Sequence, residues 1–143
     1  MIIRAWEKRD IDAIAQIEAF SFQEPWTKNN LLDVLKYPHD KSFFLEEQGQ
    51  VCAYGCLILV FDRAEVANIA VATPYRGRGL GRLLLDRMHY TAKTLGATEC
   101  FLEVRVSNVT AIGLYKSYGY ETYGVRAKYY EDGEDAFVMK KDL

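Results

Sequence analysis

The stretch YRGRGLG, residues 75–81, carries three glycines at alternate positions, with two arginines before and between them. It follows the strand-like run AEVANIAVA (64–72) and precedes a helix-like run in which Leu80, Leu84 and Met88 recur at four-residue spacing. Glycine lets the backbone turn sharply, and free N–H groups at a helix N-terminus attract anions. The stretch therefore predicts a strand-to-helix turn. These residues alone leave open whether it is an ordinary turn or a phosphate cradle.

The spacing within this turn excludes two common nucleotide-binding motifs. A P-loop reads GxxxxGK followed by Ser or Thr, and no lysine occurs in residues 75–82. The dinucleotide fingerprint GxGxxG, started at Gly77, requires glycine at the position of Arg82. No carboxylate lies in residues 73–85, so no metal ion is indicated beside a bound phosphate. A metal-free cradle for a pyrophosphate is the remaining phosphate-binding interpretation.

Composition restricts the class of protein. The 143 residues are 50% hydrophobic with a formal net charge of −2, which suits one domain (1–143) and argues against a direct nucleic-acid binder. The N-terminus turns charged at Arg4, and the longest apolar run, CLILVF (56–61), is too short to span a bilayer. We therefore expect a cytoplasmic protein with no membrane partner. With two histidines and three cysteines in no CxxC pair, we also expect no metal site.

The order of predicted elements indicates an α/β fold in which a mixed sheet is flanked by helices. Asp10 and Thr27 are candidate N-caps of two early helices, Gly96 ends the helix after the glycine turn, and a fourth helix lies in 107–119. The strand, turn, helix and strand in the middle form a βαβ-like crossover within an otherwise antiparallel sheet. The predicted strands are 2–6, 42–47, 51–61, 64–72, 99–106, 120–130 and 135–141.

The glycine stretch resembles the signature of the GNAT superfamily of acetyl-CoA-dependent N-acetyltransferases: Gln or Arg, two residues, Gly, one residue, then Gly or Ala. Here it stands as Arg76-Gly-Arg-Gly79-Leu-Gly81. The likeness covers nearly the whole chain and is greatest to the bacterial RimI type, which acetylates the N-terminal alanine of a small-subunit ribosomal protein. The stretches similar to that type are EPWT (24–27), NIAV (68–71), LEVRVSNVTAIGLYKSYGY (102–120) and KYYEDGEDAFVMK (128–140).

This resemblance implies a twisted sheet that splays apart in its middle, with acetyl-CoA as the cosubstrate. It implies that the pantetheine arm pairs with the backbone of Ile69, Ala70 and Val71, and that Asn108 binds near the thiol end. Asn108 equally suits a helix N-cap, and the two roles are compatible. The residues implied to wrap the pyrophosphate are Arg76, Gly77, Arg78, Gly79, Leu80, Gly81 and Arg82.

Glu103 is the candidate general base. Strand alternation in FLEVRV (101–106) puts Phe101, Glu103 and Arg105 on one face, and partial burial of Glu103 there is expected to raise its pKa toward neutrality. Spacing alone slightly favours a surface carboxylate paired with the Arg105 face. The match to the family's catalytic glutamate favours the base.

Tyr115 is the candidate general acid, because a phenol can deliver a proton to a departing thiolate. It lies seven residues after Asn108 and therefore on nearly the same helix face. The residues alone equally allow a core aromatic beside Ala111 and Ile112. The LY pair of the family motif favours the catalytic role. Direct attack of the amine needs no acetyl-enzyme intermediate.

The acceptor is expected to be a protein or peptide N-terminus, that of a small-subunit ribosomal protein by the resemblance. Tyr129 and Tyr130, beside the acidic turn EDGED (131–135), and Pro25 with Trp26 are the candidate walls of its groove. A strand end without substrate contact is the alternative for the two tyrosines. Two other functions remain open: acetylation of another amine (a polyamine, amino acid, antibiotic or lysine side chain), and a non-catalytic acyl-CoA-binding module. We expect a monomer.

Overall fold

The computed structural model describes residues 1–143, and its strands form one seven-stranded sheet. The strands are β1 (Ile2–Arg4), β2 (Asp40–Glu47), β3 (Gln50–Val60), β4 (Arg63–Val71), β5 (Glu99–Arg105), β6 (Glu121–Arg126) and β7 (Ala136–Asp142). Their spatial order is β1-β2-β3-β4-β5-β7-β6. The β4–β5 pair is parallel and every other neighbouring pair is antiparallel. The predicted mixed sheet with a central crossover is confirmed.

Local signals explain most helix boundaries. The hydroxyl of Thr27 accepts from the amide of Asn30 at 3.1 Å, as its predicted N-cap role requires, and Gly96 follows the third helix with φ of 98°. Asp10 stands at the N-cap position of the first helix, as predicted, but its side chain makes no capping bond there: its carboxylate binds Arg4 and accepts from the amide of Glu7, each at 2.7 Å. The helices are α1 (Ile11–Ser21), α2 (Lys28–Val34), α3 (Leu80–Thr94) and α4 (Val109–Ser117).

Alternation along the strands divides the apolar side chains between two cores. On one face, Leu45 and Leu102 pack with Met88 of α3, and α4 adds partly buried side chains. On the other face, Phe44 and Tyr54 pack with apolar residues of α1 and α2. The sheet is therefore covered by α3 and α4 on one side, and by α1 and α2 over part of the other side. No helix is long and apolar enough to cross a membrane.

The parallel pairing of β4 with β5 ends early. It joins Arg63 to Glu99 and ends with Glu65 opposite Phe101. Beyond that pair, the register of β4 against β3 shifts, so that Ala67 is an extra residue in β4. Such a bulge bends and twists its strand. Here it accompanies the divergence of β4 from β5, which leaves the gap in the sheet that the resemblance implied.

The predicted strand 120–130 is too long. The strand β6 ends at Arg126, and Lys128 has a φ of 52°, a left-handed conformation that a strand cannot continue through. Tyr129 and Tyr130 therefore lie in the loop between β6 and β7, where the amide of Gly133 donates to the carbonyl of Tyr130 at 2.9 Å.

Candidate active site

A cavity of about 330 Å³ fills the gap between β4 and β5. The residues after the last β4–β5 pair form its two long sides, and the start of α4 closes one end. The chain segment between α1 and α2 and the loop between β6 and β7 reach over it. The predicted site residues that line this cavity are Trp26, Ile69, Glu103, Asn108, Tyr115 and Tyr130.

The glycine turn lies between the end of β4 and the start of α3. Gly77 and Gly79 have backbone φ angles of 78° and 77°, which residues other than glycine rarely adopt. The backbone amides from Gly77 to Arg82 donate to no protein acceptor. They surround the N-terminus of a fifteen-residue helix, an arrangement that favours anion binding. A guanidinium N–H of Arg82 donates to Ser117 at 3.3 Å, so the turn lies beside α4.

Tyr115 and Asn108 reach the gap from α4. The side chain of Asn108 accepts from the amide of Ala111 at 3.2 Å, so this asparagine is the N-cap that local sequence allowed. The ring of Tyr115 packs edge-on against Tyr120, with centroids 5.8 Å apart. Burial raises the pKa of Tyr115 to about 12. Its hydroxyl has no hydrogen-bond partner in the protein, which leaves the proton available to a ligand in the gap.

Glu103 approaches the gap from the opposite face of the sheet. Its neighbours on β5, Leu102 and Val104, are buried toward α3, so Glu103 points to the side that α1 and α2 only partly cover. It pairs with Arg126, whose Nε lies 3.3 Å from Oε1 of Glu103. The alternative pairing with Arg105 does not occur. A phenol from one face of the sheet and a carboxylate from the other therefore lie on either side of the gap.

A buried carboxylate network supports one wall of the gap. Glu18 of α1 accepts from the amide of Trp26 at 3.0 Å, from the hydroxyl of Tyr54 at 2.7 Å, and from the side-chain amide of Asn68. Glu18 is 1% exposed and has no cationic partner. The pKa of Tyr54 is raised by burial and by this carboxylate. These bonds fix the segment that carries Trp26 against β4, and we did not predict them from sequence.

Ion pairs join the two segments that overhang the gap. Arg105 binds Glu134 at 2.9 Å and Asp132 at 2.8 Å, and it lies 3.4 Å from Glu24. The Arg105 guanidinium lowers the pKa of Glu134, after the larger effect of the Ser107 hydrogen bond. The acidic turn beside the predicted acceptor groove is thus largely engaged within the protein.

The amino-acid sequence matches a known family over most of its length. Residues 11–120 match the model of the acetyltransferase (GNAT) family. The chain belongs to the GNAT family of acetyltransferases. The resemblance based on the glycine turn is therefore confirmed, and the chain is an N-acetyltransferase. The predicted extent of the domain, residues 1–143, stays a prediction.

Relatives of this GNAT enzyme align over nearly their whole length. A Bacillus subtilis (strain 168) protein named "Putative ribosomal protein bS18-alanine N-acetyltransferase" is 40% identical over 139 residues, which are 96% of this chain and 92% of the relative. The ribosomal protein bS18-alanine N-acetyltransferase of Escherichia coli K12 is 34% identical, over 96% of this chain and 94% of its own. The crystal structure of the ribosomal-protein-S18-alanine N-acetyltransferase from Escherichia coli superposes with a TM-score of 0.91 at 33% identity, covering 99% of this chain and 93% of that one.

GNAT enzymes use acetyl-CoA, and the geometry of the gap fits that molecule. The unpartnered amides of residues 77–82 suit a pyrophosphate, and the β4 edge beyond Glu65 pairs with no strand of the protein on the β5 side. That free edge includes Ile69, Ala70 and Val71, as predicted for the pantetheine arm. The specific cofactor contacts stay predictions.

Gly79→Ala is expected to raise the KM for acetyl-CoA about 10-fold with little change in kcat. A Cβ at φ of 77° strains the backbone by about 1–2 kcal/mol, and relief of that strain turns the amides away from the pyrophosphate. Steady-state kinetics with varied acetyl-CoA measure the effect. Gly96→Ala is the matched control, because Gly96 has a φ of 98° at the other end of α3. An equal rise in KM in both variants, or no rise in Gly79→Ala, would contradict pyrophosphate binding by the glycine turn.

The structure brings six of the predicted site residues together around the gap, and the glycine turn lies beside α4. Pro25 is exposed beside Trp26 and does not line the gap, and Tyr129 lies beyond it beside Arg126, with 5.7 Å between its ring centroid and the guanidinium carbon. The arginines of the glycine turn contact protein atoms: Arg76 donates to the carbonyl of Val71 at 3.1 Å, and Arg78 lies 3.4 Å from Glu47. The backbone of the turn is thus better placed for phosphate than these two side chains are.

Proposed function

We propose that this enzyme transfers the acetyl group of acetyl-CoA to the N-terminal α-amine of a protein, the alanine of ribosomal protein bS18 in particular. The observation that carries the proposal is that Glu103 and Tyr115 line one cavity from opposite faces of the sheet. The glycine turn and Tyr115 belong to the α3 and α4 face, and Glu103 to the more open face. The cosubstrate and the acceptor therefore have separate approaches to the same gap.

The two side chains divide the proton transfers between them. Glu103 takes a proton from the α-ammonium group, directly or through one water, and the neutral nitrogen attacks the thioester carbonyl carbon. The C–N bond forms, the C–S bond breaks, and the Tyr115 hydroxyl hydrogen-bonds and protonates the departing sulfur. The attacking nitrogen then loses a second proton, which passes through water to the Tyr115 oxygen and replaces the proton that Tyr115 gave to the sulfur. The products are an N-acetyl amide, free coenzyme A and one proton held by the carboxylate.

A protein N-terminus is supported as the acceptor by the groove and by the relatives. Trp26 and Tyr130 line the gap from the two overhanging segments, and the amide of Glu131 donates to the carboxylate of Glu24 to link those segments. The named activities of the Bacillus subtilis and Escherichia coli relatives supply the alanine of bS18 as the specific acceptor. We also propose that the enzyme is a monomer and acts in the cytoplasm, where ribosomal proteins are made.

Release of coenzyme A thiol with a panel of acceptors tests the proposal. The panel contains a bS18 N-terminal peptide beginning with Ala and the same peptide beginning with Ser or Met. It also contains the Ala peptide with its α-amine already acetylated and an internal lysine as the remaining amine, and spermidine. We expect kcat/KM for the Ala peptide to exceed that for the pre-acetylated peptide and spermidine at least about 100-fold, because the amine pKa differs by about 2–3 units between α-amines and lysine-like amines. Turnover of spermidine or of the lysine alone would overturn the acceptor assignment.

A further inference from the structure

Glu65 and Glu103 place two carboxyl groups next to each other beside the gap. Glu65 is opposite Phe101 in the last parallel pair of β4 and β5, and Glu103 lies two residues further along β5 on the same face. Their carboxyl groups are within hydrogen-bonding reach of one another. Both line a cavity of about 510 Å³ on the face of the sheet that α1 and α2 leave open, and Glu103 also lines the gap itself.

The charged surroundings do not neutralise both carboxylates. Arg126 of β6 pairs with Glu103 at 3.3 Å. Arg63 of β4 lines the same cavity, but its guanidinium lies over the Phe101 ring and pairs with Glu99 at 3.8 Å. The other titratable groups near the pair are phenols and thiols that carry no positive charge; they are Tyr123, Tyr129, Tyr130, Cys56 and Cys100.

One cation for two adjacent carboxylates gives the pair a raised affinity for one proton. Burial, and then the negative charge of Glu103, raise the pKa of Glu65 to about 7. An α-ammonium group has a pKa of about 7.7–8.0, whereas a lysine ammonium lies near 10.4. The pKa values of an α-ammonium and of this pair are therefore nearly equal, so proton transfer between them costs little free energy. Transfer from lysine is less favourable by about three pKa units.

We propose that Glu65 is a positioning residue for the base: the pair is doubly ionised before the step, and Glu65 then shares with Glu103 the one proton that Glu103 takes from the acceptor. This inference rests on the proposed function. In the step, an N–H bond of the ammonium breaks as an O–H bond forms on Glu103, and the proton then moves along the hydrogen bond to Glu65. Water removes it after the acetylated product leaves. The carboxyl pair thereby selects α-amines over lysine side chains.

The state of the pair can be measured without any substrate. Glutamate side-chain carboxyl ¹³C shifts, followed by NMR from pH 3 to 9, are expected to reveal a Glu65 carboxyl that titrates near neutral pH. Glu103→Gln removes the anionic neighbour, so its spectrum is expected to show the Glu65 titration displaced downward by at least about one pH unit. Ionisation of both wild-type carboxyls below about pH 5 would overturn the inference.

The catalytic consequence is tested with Glu65→Gln and the Ala peptide. The variant amide donates permanently to Glu103 and cannot accept a proton, so kcat is expected to fall about 10-fold. The rise of kcat with pH near 7 is expected to move to lower pH, because Glu103 has lost its anionic neighbour while it keeps Arg126. A merely structural role for Glu65 would not move this profile, and Glu65→Asp is expected to restore it in part.

Glu121→Gln is the matched control, since Glu121 is an exposed residue of β6 with no ion pair. If wild type and Glu65→Gln have superimposable kcat profiles, the positioning role is wrong while the proposed function stands. If wild type does not turn over the Ala peptide, the proposed function fails, and the carboxyl titration still decides whether the pair shares a proton.

Discussion

Glu103→Gln is expected to lower kcat about 1,000-fold at pH 7.5 with the Ala peptide as acceptor. General base catalysis contributes about 10²–10⁴-fold, and glutamine keeps the size of the side chain while it removes the proton acceptor. Glu103 is the one carboxylate that lines both the gap and the open cavity. Glu65 lines the open cavity but not the gap, so it is not placed to take the proton directly from an amine at the gap. The amine then depends on its own small neutral fraction and on water.

Binding and folding measurements separate this loss from damage to the protein. Coenzyme A makes its expected contacts on the other face, so its Kd by calorimetry is expected to change less than about 3-fold. The partly exposed pair with Arg126 at 3.3 Å contributes little to stability, so the free energy of unfolding is expected to change by less than about 1 kcal/mol. Glu121→Gln again serves as the isosteric control. A Glu103→Gln enzyme that keeps a third of wild-type kcat contradicts the base assignment.

The parts of the fold that could be predicted from sequence are those set by local signals. The four-residue recurrence of Leu80, Leu84 and Met88 marked α3 because all three are buried against the sheet. Thr27 marked the start of α2 because its hydroxyl satisfies a free amide in the first turn. Alternation in residues 101–106 gave the correct faces of β5, because neighbouring side chains of a strand point to opposite sides.

The parts that could not be predicted depend on contacts between distant segments. The bulge at Ala67 arises from the register of β4 against β3, and no local sequence signal such as a glycine or proline predicts it. From sequence, Glu18 is an ordinary polar position of α1. Its hydrogen bonds from Tyr54 and Asn68 depend on residues that are distant in sequence. Glu65 comes into contact with Glu103 only through the short parallel pairing of their strands. Each of these features needs the three-dimensional arrangement of residues far apart in sequence.

The electrostatics of Tyr115 restrict what this side chain can do as an acid. A buried phenol with a pKa of about 12 stays protonated throughout the working range, so it always offers a hydrogen bond to the sulfur. Full transfer of the phenol proton to a thiolate, whose conjugate thiol has a pKa near 8.5, is unfavourable by about 3–4 pKa units. It becomes favourable only if another proton reaches the Tyr115 oxygen as the first one leaves. In the proposed mechanism the attacking nitrogen supplies that proton, so the two transfers are coupled and tyrosinate does not accumulate.

Tyr115→Phe is expected to lower kcat about 100-fold, because the departing sulfur loses its hydrogen bond and its proton source. The free energy of unfolding is expected to change by less than about 0.5 kcal/mol, since the hydroxyl has no partner in the protein and phenylalanine keeps the edge-on packing on Tyr120 at 5.8 Å. Kinetics with the Ala peptide and denaturant unfolding measure the two effects, and Tyr90→Phe, at an exposed position of α3, is the matched control. A large loss of stability would assign Tyr115 to packing, and full activity would remove it from the chemistry.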